Sequence, residues 1–472
     1  MKETAVSERH AVLSPKIALM LTEGSGSHAD PVVPILLALV LLTLAAVFGG
    51  RLMTLVRQPP VLGELIVGLL IGNLAYWLGN PGISVLREGD ALRRIADLAL
   101  SSNVSLSEAA LRLLPAGSHA ERISAILAGT KGLDYVAVYS FVDLLSRIAI
   151  LVLLFLVGLE TNIGEMKRVG RTALSVAVIG VLAPMTLGLG TMKFLHPDSA
   201  LARDLFVGGI LTATSVGITA RVLRDLRQDT TDEARVILGA AVLDDVLSLI
   251  VLAVVSALAV TGTVSVWSIG WTTAKAALFL GGSLSVGIWI TPWVARKLAN
   301  AGIHNVKVLT GWIFAFCLAW LASEAGLAAI VGAFAAGVIL NEMFDKEMEG
   351  LSLRELLSPV ESLIVPLFFV WMGIQVKLEA LVSKDVLIGG AALTVVAIVG
   401  KVLSGSGCPK RMNRLAVGFG MMPRGEVGLI FAGIGKGIGV VDDGLFSAVI
   451  LLVLVTTLLT PLALRWTLPK VS

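Results

Sequence analysis

Cysteines and charged residues are both scarce in this sequence of 472 residues. The two cysteines, Cys317 and Cys408, lie far apart with no metal-ligand spacing around them, so neither a disulfide framework nor a zinc site is expected. Charged residues make up 15% of the chain and leave a formal net charge of +3, which by itself says little about nucleic acid, and no nucleic-acid partner is expected. The first thirty residues hold one short apolar patch, Ile17–Leu21, which argues against a cleaved signal peptide.

Apolar residues, in contrast, are abundant. They make up 56% of the chain, and the mean hydropathy of +0.89 is typical of a helical protein that crosses a membrane many times. A helix of roughly 20 residues spans a bilayer, and thirteen stretches are candidates for such helices. The ninth is short, which suggests a tilted or partly re-entrant helix. The predicted spans are 31–56, 60–79, 141–162, 172–194, 204–225, 234–260, 270–294, 306–324, 327–341, 358–376, 385–404, 411–438 and 443–467.

The positions of Lys and Arg between the spans predict the orientation. With thirteen crossings, the cationic connections fall on one side of the membrane, which the positive-inside tendency makes cytoplasmic. The N-terminus, with an extension over residues 1–30, is then outside and the C-terminus inside. We expect a multi-pass protein of a bacterial inner (plasma) membrane. The cationic connections contain Arg51, Arg57, Lys167, Arg168, Arg171, Arg221, Arg224, Arg227, Arg296, Lys297, Lys307, Lys410, Arg411, Arg414, Arg465 and Lys470.

The longest segment between spans, residues 81–140, is predicted to lie on the outer side. Its amphipathic stretches, Asp90–Leu98 and Glu121–Leu127, have apolar residues at helical spacing and predict short surface helices. Their apolar faces are expected to lie on lipid headgroups or to cover a subunit interface, and the sequence does not choose between the two. The single histidine of this segment, His119, is expected to be exposed. The segment contains no cluster of acids that would indicate a catalytic role.

The stretch Gly239–Leu252 places two adjacent aspartates, Asp244 and Asp245, inside an apolar run long enough to cross a bilayer. Charges there are costly, and such residues indicate a functional site. Neighbours in a helix point about 100° apart, so one carboxylate can meet an ion while the other turns towards a neighbouring helix. The alternative is a pair of acids at a helix end near the headgroups, but apolar residues extend far on both sides.

Two spans carry residues that interrupt a helix. The fifth contains hydroxyls and glycines over Gly209–Thr219, which alone could also be a packing surface. The twelfth contains a proline flanked by glycines over Gly418–Gly428. They occupy corresponding places if spans two to six and nine to thirteen form an inverted pair, which indicates a transport site. Lys401 in the eleventh span either neutralises one aspartate or extends to the cytoplasmic surface.

Five stretches of the chain form a set of motifs, which are Ala240–Val246, Thr212–Gly217, Pro423–Leu429, Phe155–Glu160 and Val331–Gly337. Together they resemble the monovalent cation/proton antiporter superfamily, in particular the branch of bacterial sodium/proton exchangers and Kef-type potassium efflux antiporters. The resemblance covers about 31–467 and implies two crossing interrupted helices. It also implies core helices at about 172–260 and 385–467, scaffold and dimer helices at about 31–162 and 306–376, a linker helix at about 270–294, and a homodimer.

The resemblance also implies roles for individual residues. Asp245 resembles the carboxylate that binds the cation and the proton, Asp244 resembles the second acid, and Lys401 its charge partner. Thr214 and Ser215 resemble the polar lining of the first interruption. The structural polar residues of the second interruption are Arg424 and Glu426. Ser248 departs from the pattern, since a glycine is common there, and the 81–140 insert is unusually long.

Exclusive occupancy of one carboxylate by H⁺ or by Na⁺ or K⁺ would couple the two fluxes, so the predicted function is cation/proton antiport. With two acids and a lysine, we expect more than one proton per cation. No cofactor is expected beyond the transported ions, and no enzymatic activity. The alternatives are a cation channel, although no filter motif is present, and a K⁺ efflux system gated by a separate subunit. Any soluble regulatory domain is expected on another chain.

Overall fold

The computed structural model describes most of the predicted membrane domain. The described residues are 32–56, 58–114, 117–161, 170–228, 231–261, 266–300, 306–347 and 352–468. Within these ranges every regular element is a helix and none is a strand. Ten of the helices are long and apolar enough to cross a membrane. The predicted N-terminal extension and the cationic residues Arg57, Lys167, Arg168 and Lys470 lie outside the described residues.

We number the α-helices in chain order. Residues 378–382 and 405–407 form short 3₁₀ turns. The helices are α1 (Val32–Leu55), α2 (Pro60–Trp77), α3 (Pro81–Leu86), α4 (Asp90–Ser102), α5 (Leu106–Leu113), α6 (Ser118–Ala128), α7 (Gly132–Glu160), α8 (Arg171–Leu195), α9 (Leu201–Ile210), α10 (Val216–Asp225), α11 (Asp232–Thr261), α12 (Val266–Asn300), α13 (Val306–Glu324), α14 (Ala329–Glu347), α15 (Leu353–Ile374), α16 (Lys384–Ser404), α17 (Arg414–Gly420), α18 (Glu426–Gly437) and α19 (Asp443–Thr467).

These helices confirm the predicted fold class, an all-helical multi-pass membrane protein. Each of the predicted stretches contains helix, and the fifth and twelfth are each split in two, as α9 with α10 and α17 with α18. Several boundaries differ from the prediction. The third span, α7, begins at Gly132 instead of 141, the seventh span, α12, covers Val266–Asn300 instead of 270–294, and the ninth span, α14, is a continuous helix of 19 residues. Polar residues at its end, such as Asn341, made the apolar run look shorter than the helix.

Glycines bring several helices into backbone contact. A side chain at Gly68 of α2 would overlap the carbonyl of Val370 on α15, and one at Gly337 of α14 would overlap the carbonyl of Phe155 on α7. In a membrane, where lipid is as apolar as the helix surface, close packing of small residues is a main source of helix association. These contacts join α2 to α15 and α7 to α14 on one side of the molecule.

The insert after α2 packs on the protein itself. Apolar residues of α4, α5 and α6, among them Leu92, Ile95 and Ile123, are at most 1% exposed. They form one cluster with residues of α1, α7 and α15, such as Trp371. Both sequence-based alternatives for these apolar faces, lipid headgroups and a subunit interface, are therefore wrong. The alternation of apolar residues predicted the helices, but only the fold determines what covers them.

Candidate ion-binding site at two crossed helix interruptions

The interruptions in the fifth and twelfth spans meet each other. Ser215 N–H donates to the carbonyl of Pro423 at 2.9 Å. The hydroxyls of Thr214 and Thr219 donate to the carbonyls of Met421 at 3.3 Å and Gly420 at 2.7 Å. Backbone groups freed by a broken helix must find partners inside a membrane protein. Each interruption supplies partners for the other, so the crossing is held by its own polar groups.

Pro423 and Gly425 explain why the second helix breaks at this point. Proline has no N–H to donate and its ring clashes with the preceding helical turn. Gly425 lies so close to the first interruption that a Cβ would come within 2.7 Å of both Cβ and Oγ of Ser215. Real Cβ atoms do not approach that closely, so the crossing requires glycine at this position.

Arg424 joins the two interruptions to two further helices. Its guanidinium is 1% exposed and donates to the carbonyl of Ala213, in the first interruption, and to that of Ala397 on α16 at 3.3 Å. Its backbone is held by α19, where Thr456 Oγ1 accepts from Arg424 N at 3.3 Å and Thr457 Oγ1 donates to Arg424 O at 2.5 Å. A fixed positive charge is therefore built into the crossing.

Asp244 forms a fully buried ion pair with Lys401. Lys401 Nζ lies 2.8 Å from Asp244 Oδ1, and both side chains are 0% exposed. Gly180 of α8 borders the pair, because a Cβ there would lie 3.5 Å from each of these two atoms. The sequence left two interpretations of Lys401, pairing with an aspartate or extension to the cytoplasmic surface. The structure places its side chain against the aspartate and not at the surface. One turn after Asp244, Ser248 Oγ lies 3.3 Å from the hydroxyl of Thr212 in the first interruption.

Asp245 faces a different environment from its neighbour. It is partly exposed and lines a cavity of about 540 Å³, together with Ser215, Gly425 and Thr457. The rotation of about 100° between successive helical residues separates the two carboxylates. One of them is neutralised inside the helix bundle, and the other meets a space large enough for water and ions.

Charged residues mark one end of this cavity. Arg354, near the start of α15, lies 2.7 Å from Glu160 at the end of α7 and 2.6 Å from Glu361. Glu160 has a side chain that is 58% exposed. Pro59 and Pro60, at the start of α2, line the same end. The cavity therefore leads from Asp245 to the membrane face at which α7 ends and α2 and α15 begin.

The opposite end of the molecule carries an ion network. Lys377 Nζ lies 3.3 Å from Glu88 and 2.8 Å from Asp443, and Lys436 Nζ lies 3.0 Å from Asp443. The side chain of His119 is 41% exposed, and its Nε2 lies 3.1 Å from Glu88 Oε1, so this histidine is part of the network as well as partly exposed. The network joins the insert, through Glu88 and His119, to the α15–α16 connection and to the ends of α18 and α19.

Two members of the network lie outside the membrane spans and have shifted pKa values. Burial alone would raise the pKa of Glu88, but the hydrogen bond from His119 and the charge of Lys377 outweigh it and lower the pKa. Burial would likewise lower the pKa of Lys377, but Glu88 and Asp443 outweigh it and raise the pKa. Both side chains are therefore charged at neutral pH, and the ion pair is intact.

The structure brings most of the predicted site residues to one place. Asp244, Asp245 and Lys401 lie next to the crossing formed by Thr214, Ser215 and Arg424, whereas the side chain of Glu426 lies outside the described residues. Sequence reasoning missed two contributors, whereas Thr219 belongs to the stretch Gly209–Thr219 that it singled out. Thr457 is a hydroxyl in an apolar span, a signal that was used for the fifth span only. Gly180 had no signal, since its role depends on a contact between distant helices.

A membrane protein with two crossed helix interruptions beside buried carboxylates belongs to the class of ion-coupled secondary transporters. The family described as "Sodium/hydrogen exchanger, transmembrane" matches residues 37–470. The chain therefore belongs to the sodium/hydrogen exchanger family, and this confirms the resemblance stated from the motifs.

Two curated relatives and one solved structure illustrate the similarity. The high-affinity Na⁺/H⁺ antiporter NhaS3 of Synechocystis is 36% identical over 438 residues, which cover 91% of this chain and 89% of NhaS3. The Na⁺/H⁺-K⁺ antiporter GerN of Bacillus cereus is 30% identical over 381 residues, 79% of this chain and 95% of GerN. The sodium proton antiporter MjNhaP1 of Methanocaldococcus jannaschii has the same fold, with a TM-score of 0.62, 15% identity, and coverage of 93% of this chain and 99% of MjNhaP1.

Proposed function

We propose that this protein exchanges protons for Na⁺ by alternating access, with Asp245 as the site that the two ions share. The observation that carries the proposal is the different environment of the adjacent aspartates. Asp244 is neutralised by Lys401 at 2.8 Å, and Asp245 lines the cavity beside the crossed interruptions. NhaS3 is named for Na⁺/H⁺ exchange, which supports the choice of Na⁺. K⁺ stays the second candidate, because GerN is named for both cations.

Competition at Asp245 couples the two fluxes. Oxygen ligands from a carboxylate and hydroxyls suit a hard alkali cation, and Ser215 and Thr457 supply hydroxyls in the same cavity. A proton on Asp245 removes the negative charge that attracts the cation. An empty, charged carboxylate is costly to carry past an apolar barrier, so the helices change conformation only when Asp245 holds one of its ions. Leak is thereby suppressed.

The Asp244–Lys401 pair provides a route to electrogenic exchange. A cation that engages both aspartates competes with the Lys401 ammonium for Asp244. If the displaced lysine loses its proton, one proton leaves from Asp245 and a second from Lys401 for each cation that binds. Exchange then moves net charge, and more than one proton is transported per cation. Both side chains of the pair are 0% exposed, so an ammonium displaced from Asp244 has no water to stabilise its charge, which favours the loss of its proton.

The direction of the cavity defines the conformation that we assign to the structure. Its charged mouth, with Glu160 and Arg354, lies on the face that the cationic connections make cytoplasmic. The state is then inward-facing, and the network of Glu88, Lys377 and Asp443 closes the outer face. We propose likewise that the helices divide into the predicted core and scaffold, that the protein is a homodimer, and that it lies in a bacterial plasma membrane.

Proton flux in proteoliposomes tests the function. With an imposed pH gradient, addition of Na⁺ is expected to cause proton movement that saturates with Na⁺ concentration, and Asp245→Asn is expected to abolish it. K⁺, Li⁺ and choline in turn measure selectivity. An imposed membrane potential should change the rate if the exchange is electrogenic. Wild-type flux in Asp245→Asn, or flux that does not saturate and needs no counter-ion, as in a channel, would contradict the proposal.

A further inference from the structure

A second cavity, of about 540 Å³, lies at the outer end of the molecule, away from the aspartates. It is bordered by the end of α11, the start of α12, the turn between α13 and α14, and the end of α18. Polar side chains line one part and apolar side chains the rest. The polar residues are Ser256, Thr272, Lys275 and Ser323, and the large apolar residues are Leu258, Val260, Trp267, Trp271, Leu327, Ile434 and Ile438.

Lys275 is the charged group of this cavity. Its ammonium donates one long hydrogen bond, 3.4 Å, to the carbonyl of Ala325 in the α13–α14 turn. Among the described residues no carboxylate lies within ion-pair distance of it, in contrast to Lys401, which has Asp244. An ammonium in a half-buried position without a counter-charge is costly. The cavity therefore has an unbalanced positive charge and favours an anion.

The surroundings of Lys275 indicate a lipid and not a small soluble anion. Trp267, Trp271 and Lys275 follow each other at intervals of four residues on one face of α12, and the two tryptophans are 81% and 57% exposed. Tryptophans gather at the depth of lipid headgroups. Residues four apart share one face of a helix, and helical side chains tilt towards the N-terminus of their helix. The side chain of Lys275 is therefore directed towards the two tryptophans.

The apolar lining of the cavity suits an acyl chain. Leu258 and Val260 of α11 and Ile434 of α18 provide an apolar wall. Ser256 Oγ is buried and has no hydrogen-bond partner among the described residues, so one polar atom is also left for a ligand. A cavity that combines a cation, exposed tryptophans and an apolar wall matches the two ends of a phospholipid.

We propose that this cavity binds one phospholipid with an anionic headgroup, whose phosphate accepts hydrogen bonds from Lys275. The lipid would lie between α11 and α18, which carry parts of the ion site, and the α13–α14 turn. The inference does not depend on the exchange activity, because it concerns binding alone.

Lipid-dependent melting of the purified full chain tests this site. Phosphatidylglycerol, added in steps to the protein in detergent, is expected to raise the melting temperature of the wild type. The apparent affinity should fall at least tenfold in Lys275→Gln. Lys384→Gln is the matched control, since Lys384 is an exposed lysine at the start of α16 on the same face and should behave as the wild type. Phosphatidylcholine and inorganic phosphate are the other two arms.

Three results would overturn the proposal. The first is equal stabilisation of the wild type and Lys275→Gln by phosphatidylglycerol. The second is an equal effect of phosphatidylcholine, which would show that the site does not recognise the charge of the headgroup. The third is an equal effect of inorganic phosphate, which would indicate a soluble anion. If Lys275→Gln does not fold, two other variants replace it. Lys275→Arg is expected to bind the lipid, and Trp271→Ala is expected to bind it at least tenfold more weakly.

Discussion

Replacement of Asp244 by asparagine is expected to destabilise the protein, whereas the same replacement at Asp245 is expected to preserve the fold and abolish exchange. Asp244 and Lys401 are both 0% exposed and 2.8 Å apart, so Asp244→Asn leaves an unpaired buried ammonium. Breaking a buried pair in this way costs about 3–5 kcal/mol. Asp245 faces the cavity, where its loss should change the free energy of unfolding by less than about 1 kcal/mol.

The ion pair can be tested further by removing both charges. Asp244→Asn combined with Lys401→Met is expected to recover most of the lost stability, because no unpaired buried charge is left. Thermal melting in detergent measures stability, and Na⁺-dependent proton flux in proteoliposomes measures exchange. Glu64→Gln is the control for transport, since Glu64 is a buried acid on α2 beside Gly50 of α1, where a Cβ would lie 3.4 Å from Glu64 Oε1.

The reasoning fails if the two aspartates behave alike. Wild-type melting of Asp244→Asn would show that the pair contributes nothing to the fold. A double variant less stable than Asp244→Asn would show that Lys401 has a favourable role without its partner. Normal exchange in Asp245→Asn, or loss of exchange in Glu64→Gln with the fold retained, would place the shared site elsewhere.

Two further predictions concern the crossing and the outer network. Gly425→Ala should destabilise the protein by about 1–3 kcal/mol, because its Cβ would lie 2.7 Å from Ser215, whereas a Cβ at Gly428 meets only Val453 at 3.8 Å; equal melting of Gly425→Ala and Gly428→Ala would refute the steric argument. Glu88→Gln should cost about 1.5–3 kcal/mol at neutral pH. Since folding lowers the pKa of Glu88 below its ordinary 4.5, this stabilisation is present above that value and is lost as the pH falls through the folded pKa. The melting curves of the wild type and Glu88→Gln should therefore differ at pH 7 and converge only as the pH falls through the lowered pKa of folded Glu88, with the exposed Glu121→Gln as control; a gap that widens in acid would be inconsistent with this sign.

Local chain properties decided what could be predicted from the sequence. Apolar runs of spanning length must be helical in a membrane, because backbone groups there need internal partners. Pro423 and its flanking glycines break a helix wherever they occur. Aspartates in an apolar run are costly in any fold, so Asp244 and Asp245 indicated a site without further information. These arguments use neighbours in the chain and hold for the sequence alone.

Contacts between distant segments needed the tertiary structure. The residues alone predicted that the two aspartates face different environments, and the resemblance implied that Lys401 pairs with Asp244. Only the position of α16, which carries Lys401, brings the two side chains into contact. Thr457 contributes to the cavity only because α19 packs against the second interruption. His119 reaches Glu88 only because α6 packs back against α3 within the insert. Each of these outcomes depends on how helices pack, and packing is a property of the whole chain that no single stretch contains.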